Sequence, residues 1–200
     1  AELLASARET TGLQEVGDPH WIETFERRIR SIDEESNANL LGRFLARAEA
    51  IRVLHTKLRL HEAWAREPAI LEEPIERPIF VLGAPRTGTT ILLELLALDP
   101  GLRAPIAWEA QHPLPFEGAE DKETRRRLAE AEHDLWMDIQ PELATLHEMS
   151  ADLPCECIHF LAMEFGGPYW AMHYKAPSFT AWAMNQPDIL PRTYHFHRQF

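Results

Sequence analysis

The sequence predicts an α/β fold, a P-loop-type parallel sheet flanked by helices, with a helical region ahead of it. Two observations carry the sheet. The first is a short, wholly apolar run, Ile79-Phe80-Val81-Leu82, bounded by Pro78 and Gly83. Such a run suits a strand buried on both faces. The second is the glycine-rich turn that follows, Gly83 to Gly88, which opens straight into an apolar helical pattern. A third observation, amphipathic spacing through the first 74 residues, places helices in front.

The elements follow in order. Asp18-Pro19 opens a helix with Trp21, Ile22, Phe25 and Ile29 at helical spacing. A longer helix is expected from about Asn37 to Arg66, with a stripe of Leu40, Leu41, Phe44, Leu45, Ala48, Ile51, Leu54, Leu58 and Trp64. Glu67-Pro68 stops it, because the residue before a proline is pushed out of helical geometry. The segment 72–78, with two prolines and no apolar period, is the expected boundary. Residues 1–74 form an N-terminal helical region, and 75–200 form the first part of a P-loop domain with a helical insertion. After the strand at 79–82 comes a helix over 89–98, stopped by Asp99-Pro100-Gly101. A second short strand is expected at 102–106. Helices are then expected over 121–139, 153–165, 178–185 and from 190 onward. One or two strands do not make a stable sheet, since three or more are needed. These 200 residues are therefore expected to be the first part of a larger domain.

Composition narrows the function. The chain carries 20 basic and 32 acidic residues, a formal charge of −12, and is 45% hydrophobic. So acidic a chain is a poor match for nucleic acid or an anionic membrane. No apolar stretch is long enough to span a bilayer, and no secretory leader is visible at the start. Cys155 and Cys157 form a C-x-C pair, read as reduced thiols of a cytoplasmic protein. With His159 alone nearby, no metal site is expected.

The loop itself is unusual. Gly83 and Gly88 have the spacing of a nucleotide-phosphate loop, G-x-x-x-x-G-K-[ST], but Thr89 occupies the lysine position. The cation is Arg86, three residues early. A strand–turn–helix of this kind aims backbone N–H groups and the helix dipole at one point, which an anion would fill. Pro85 stiffens the turn. Thr87, Thr89 and Thr90 add hydroxyls, and Arg86 adds a planar fork suited to phosphate or sulfate oxygens. Without the lysine, and with no apolar run ending in Asp downstream, a magnesium nucleotide is disfavoured.

P-R-T-G-T-T after a short apolar run, followed by L-L-A-L-D-P, resembles the phosphosulfate-binding loop of the sulfotransferase family. The nearest likeness is to bacterial members related to carbohydrate and tyrosyl-protein sulfotransferases. It is firmest over 78–112 and looser at 147–157 and 176–182. The resemblance implies that Pro85, Arg86, Thr87, Gly88, Thr89 and Thr90 bind 3′-phosphoadenosine 5′-phosphosulfate (PAPS) as co-substrate, without a metal. It also implies that Glu109, in P-I-A-W-E at 105–109, is the catalytic base. The chemistry wants such a group, since the acceptor hydroxyl must lose its proton as it attacks sulfur. Arg86 and the loop amides would neutralise the leaving oxygen. The expected activity is sulfuryl transfer to a hydroxyl, or to an amine, of a small-molecule or carbohydrate acceptor. Homo-oligomerisation stays open.

His112 and His147 are further candidates on the acceptor side. The aromatics Trp136, Phe160, Phe165, Tyr169, Trp170, Phe179 and Trp182 fit a helical core better than a pocket wall, and the charge run at 120–127 fits a solvated helix start. Members of the family hold the 3′-phosphate with an Arg and a Ser after a second strand. No such element precedes Phe200, so it is expected farther along the chain. Two other readings remain: an atypical P-loop kinase, and a non-catalytic binding protein of the sulfotransferase fold.

Overall fold

The computed structural model describes residues 2–116, 122–146 and 148–200. Among the described residues, ten α-helices run in chain order: α1 (Glu2–Thr11), α2 (His20–Glu35), α3 (Leu40–Arg66), α4 (Thr89–Ala97), α5 (Ala107–Gln111), α6 (Lys122–Ile139), α7 (Ile158–Leu161), α8 (Tyr169–His173), α9 (Pro177–Ala183) and α10 (Ile189–Gln199). They belong to two compact units. One comprises Ala1–Glu73 with Ile158–Phe200, the other Pro74–Cys157.

The expected parallel sheet is not there. Among the described residues there is no sheet; Ile106 and Pro154 form an isolated antiparallel bridge. Ile79, Phe80 and Leu82 are 60%, 71% and 87% exposed. A strand exists through hydrogen bonds to a neighbour, and the apolar run has none to pair with. The run met the compositional condition for a strand but not the pairing condition. The expected strand at 102–106 contributes only the Ile106 bridge.

Among its described residues the first unit has helices and connecting loops but no strand. Asn39 caps α3, its Oδ1 accepting from the Gly42 N–H at 2.9 Å. Pro68 follows its C-terminal end. The buried face of α3 keeps Leu54, Leu58 and Trp64 of the expected stripe and adds Ala46, Ala50, Val53, Lys57 and Leu60. Leu40, Leu41 and Phe44 are exposed. Helix α1 packs against this helix.

Of the aromatics singled out, Phe165, Tyr169, Trp170 and Phe179 are buried as core, whereas Trp136, Phe160 and Trp182 are half-buried. Phe165 stacks between Trp21, at 5.9 Å, and Trp170, at 5.2 Å, with Phe25 tilted against it at 4.7 Å. Arg28 is buried in this core. It donates from Nε to the Phe165 carbonyl at 3.1 Å and from Nη2 to the Gly167 carbonyl at 3.2 Å. Its guanidinium also lies 3.6 Å from the Phe179 ring centroid. Lys57 is buried too. Its ammonium pairs with Glu164 and lies 4.0 Å from the Phe196 ring centroid.

The second unit, Pro74–Cys157, holds α4, α5 and α6. Its small core joins Trp108 of α5, Ala129 of α6 and Ala151, with Ile106 packed against them. Helix α4 buries none of its side chains.

Candidate functional site

All the residues singled out at the turn, with Glu109 and His112, lie in the second unit. The turn comes first. Gly88 takes a left-handed φ of 88° and caps α4 at its start. Arg86 also has a left-handed backbone, φ 65°, which is uncommon for a residue with a side chain. Gly83 cannot carry a side chain without displacement. A Cβ there would lie 2.7 Å from both Thr87 Oγ1 and Thr89 Cγ2. The Thr87 hydroxyl closes the turn by donating to the Ala84 carbonyl at 2.6 Å. The turn therefore folds back over its own first residue and delivers Thr89 and Thr90 as the first residues of α4.

A second segment, 146–157, touches this turn twice. Arg86 Nη1 donates to the Leu146 carbonyl at 3.0 Å, and Thr90 Oγ1 donates to Glu156 Oε1 at 3.4 Å. The same segment carries α5. The Ala107 N–H donates to the Leu153 carbonyl and the Trp108 N–H to the Ala151 carbonyl, both at 3.0 Å. Cys155 N–H donates to the Pro105 carbonyl at 2.9 Å. The segment is fastened in turn to α6. Glu130 Oε2 accepts from the Ala151 N–H at 2.6 Å, and Arg126 forks onto the Asp152 carboxylate.

Helix α5 is held at both ends. Its start hangs on residues 151 and 153. Past its last turn, Arg125 Nη1 donates to the His112 and Pro113 carbonyls at 3.0 and 2.9 Å. The Arg125 guanidinium and the Lys122 ammonium lie 4.8 and 5.2 Å from the Trp108 ring centroid. The charge run at 122–127 is thus more than a solvated helix start. Arg125 packs on Trp108 while Arg127 stays exposed beside Glu123.

Glu109 projects from the first turn of α5, with its side chain 31% exposed. Arg103 Nη2 donates to its Oε2 at 2.8 Å. His112 follows the last turn of α5 as its C-terminal cap. It is buried, and its Nε2 lies 3.2 Å from Glu132 Oε2 on α6, so it ties α5 to α6. Gln111 Nε2 and His133 Nε2, 2.9 Å apart, make a second tie of the same kind. His147 lies outside the described residues.

Cys155 is buried next to this site. Burial, then the charges of Cys157, Glu109 and Glu156, push its thiol up to about 12. It stays a protonated thiol at neutral pH. Among the described residues, no group of three or more His, Cys, Asp or Glu side chains is placed to hold a metal ion. No helix among them is long and apolar enough to cross a membrane.

Sequence reasoning missed Arg103, Glu156 and the role of Arg125. Arg103 carried a signal, a lone arginine six residues before Glu109, but exposure of that kind is usual for arginine. Glu156 and Arg125 reach partners distant in sequence, and no local pattern announces them.

Residues 78–198 match the profile of the sulfotransferase family. Two solved structures are similar over nearly the whole chain. One is the sulfotransferase STF1 from Mycobacterium tuberculosis H37Rv, with a TM-score of 0.78, 29% identity, and coverage of 99% of this chain and 55% of that one. The other is the sulfotransferase STF9 from Mycobacterium avium, with a TM-score of 0.79, 26% identity, and coverage of 99% and 51%. The chain spans about half the length of each. None of the curated proteins compared with it gives a significant match.

Proposed function

The chain belongs to the sulfotransferase family, and from that membership we infer that it moves a sulfuryl group from PAPS to an acceptor hydroxyl, with Glu109 as base and the loop 85–90 as the donor's grip. One observation supports this best. The glycine turn and the helix bearing Glu109 rest on the same short segment, through Arg86 on Leu146, Thr90 beside Glu156, and α5 on Ala151 and Leu153. The turn and the helix bearing Glu109 thereby share one support within a single unit.

The donor set suits a phosphosulfate. The start of α4, a helix of nine residues, offers unpaired backbone N–H groups and the positive end of its dipole. Gly83 keeps the turn tight enough for those amides to converge. Arg86 has five N–H donors and uses one of them on Leu146, so several remain for anion oxygens. The Thr90 hydroxyl becomes available once the Glu156 carboxylate swings off it, a move toward water that an exposed side chain makes readily.

PAPS supplies an activated sulfuryl group. The acceptor oxygen forms a bond to sulfur as the bond from sulfur to the bridging phosphate oxygen breaks. The acceptor proton passes to the Glu109 carboxylate. The bridging electron pair leaves with adenosine 3′,5′-bisphosphate, whose new charge Arg86 and the loop amides offset. The products are a sulfate ester, the bisphosphate and one proton.

The test is transfer of labelled sulfate from PAPS to a panel of sugars, sterols and aromatic alcohols by the full-length protein. Glu109→Ala should lower turnover about 10²- to 10⁴-fold, the usual worth of a general base, while adenosine 3′,5′-bisphosphate still binds. Undiminished turnover in Glu109→Ala would sink the assignment of the base.

A further inference from the structure

We propose that Arg103 is the positioning residue for Glu109, an inference that rests on the reading of Glu109 as the base. The geometry is specific. Arg103 stands in the link between α4 and α5, and its Nη2 reaches the Oε2 of Glu109 at 2.8 Å. Both backbones are anchored. On the Arg103 side, Asp99 closes a turn, accepting from the Gly101 N–H at its carboxylate (2.8 Å) and from the Leu102 N–H at its carbonyl (3.0 Å). On the Glu109 side, α5 hangs on Ala151 and Leu153. The arginine thus reaches across the start of α5 from one fixed point to another.

As a source of stability this pair counts for little. The Arg103 side chain is 77% exposed, and exposed ion pairs contribute little to folding. Its effect is on orientation. The last torsion of a glutamate is broad and poorly fixed by sterics. A donor on Oε2 fixes it and leaves Oε1 to accept the proton of the acceptor hydroxyl. A carboxylate that must reach one proton at one moment gains most from such restraint, since small misplacements of a catalytic group cost rate steeply. The planar guanidinium suits the task better than an ammonium would.

The test is a double-mutant cycle in the full-length protein, with kcat and KM measured for PAPS and one acceptor. Arg103→Met should lower kcat about tenfold to a hundredfold, with the KM for PAPS within about twofold. Its melting temperature should be unchanged. Arg103→Lys should restore part of the loss. In a Glu109→Ala background, Arg103→Met should add less than about twofold, because the group it positions is already gone. Wild-type kcat in Arg103→Met, or an equal loss in both backgrounds, overturns the role of Arg103 and leaves Glu109 as base. Undiminished kcat in Glu109→Ala overturns the reading beneath it, and the proposal with it.

Discussion

Gly83→Ala places one methyl group where the turn has no room for it. The new Cβ would lie 2.7 Å from Thr87 Oγ1 and from Thr89 Cγ2, whereas ordinary contact begins near 3.4 Å. Both neighbours are threonines, stiff at χ1, so neither can swing aside cheaply. The Thr87 hydroxyl is also committed to the Ala84 carbonyl. Gly83 is not in the left-handed region, so the cost is steric alone. Overpacking of this kind costs about 1–3 kcal/mol. The turn can relieve it by opening, because residues 82–88 are exposed and no core moves with them. Opening spreads the amides proposed to hold the anion. The cost therefore appears in binding, where every 1.4 kcal/mol is about tenfold. The dissociation constant for adenosine 3′,5′-bisphosphate should rise about fivefold to a hundredfold, while global stability changes by less than about 0.5 kcal/mol, as for other surface changes. Titration calorimetry and urea unfolding read the two effects separately. Unchanged affinity in Gly83→Ala would refute the claim that the closed turn is the binding conformation.

Two further outcomes test the first unit. Lys57→Met leaves the Glu164 carboxylate buried without its partner and should cost about 3–5 kcal/mol by urea unfolding; Lys57→Met with Glu164→Leu should recover most of it, and a loss below about 1 kcal/mol in the single variant would count against a charged pair here. Burial, then the Lys57 charge, holds His61 down at about 4, against about 6.5 in the unfolded chain. The unfolded chain therefore takes up the proton first as pH falls, so this contribution is complete above about 6.5 and is lost toward 4. Thermal midpoints should drop over that window, and His61→Gln should make the drop shallower; an equal slope in the variant would contradict the assignment.

Much of the helical framework is legible in the sequence, for local reasons. Asp18-Pro19 and Glu67-Pro68 act within a turn of the helices they bound, and both mark real ends, while the start expected at about Asn37 falls at Asn39. The turn at 83–88 is equally local: its glycines, its proline and the helix behind it need no distant partner to be recognised. What failed depended on partners. The apolar run at 79–82 satisfied every local condition for a strand, yet a strand is defined by a neighbour that no local pattern supplies. In α3 the expected stripe holds at Leu54, Leu58 and Trp64 but not at its start, where Leu40, Leu41 and Phe44 are exposed. Lys57 was not expected in the core; it is buried with Glu164 to pair with, 107 residues away.

The candidate site divides the same way. Arg86, the threonines and Glu109 could be picked out from residue type and spacing. Their arrangement could not, because it runs through 146–157, where Leu146, Ala151, Leu153 and Glu156 offer mostly backbone carbonyls. A carbonyl is present at every residue and so leaves no trace in a sequence. Arg125 is the same case, since its partner Trp108 lies across residues that no period connects.

The central claim is that the turn at 83–90 grips a phosphosulfate and not a magnesium nucleotide. Titration calorimetry of the full-length protein with adenosine 3′,5′-bisphosphate, and separately with ATP and magnesium, tests it most directly. Heat of binding is expected with the bisphosphate, weakened in Arg86→Ala, and none with ATP and magnesium. Binding of ATP with magnesium, and none of the bisphosphate, would contradict it.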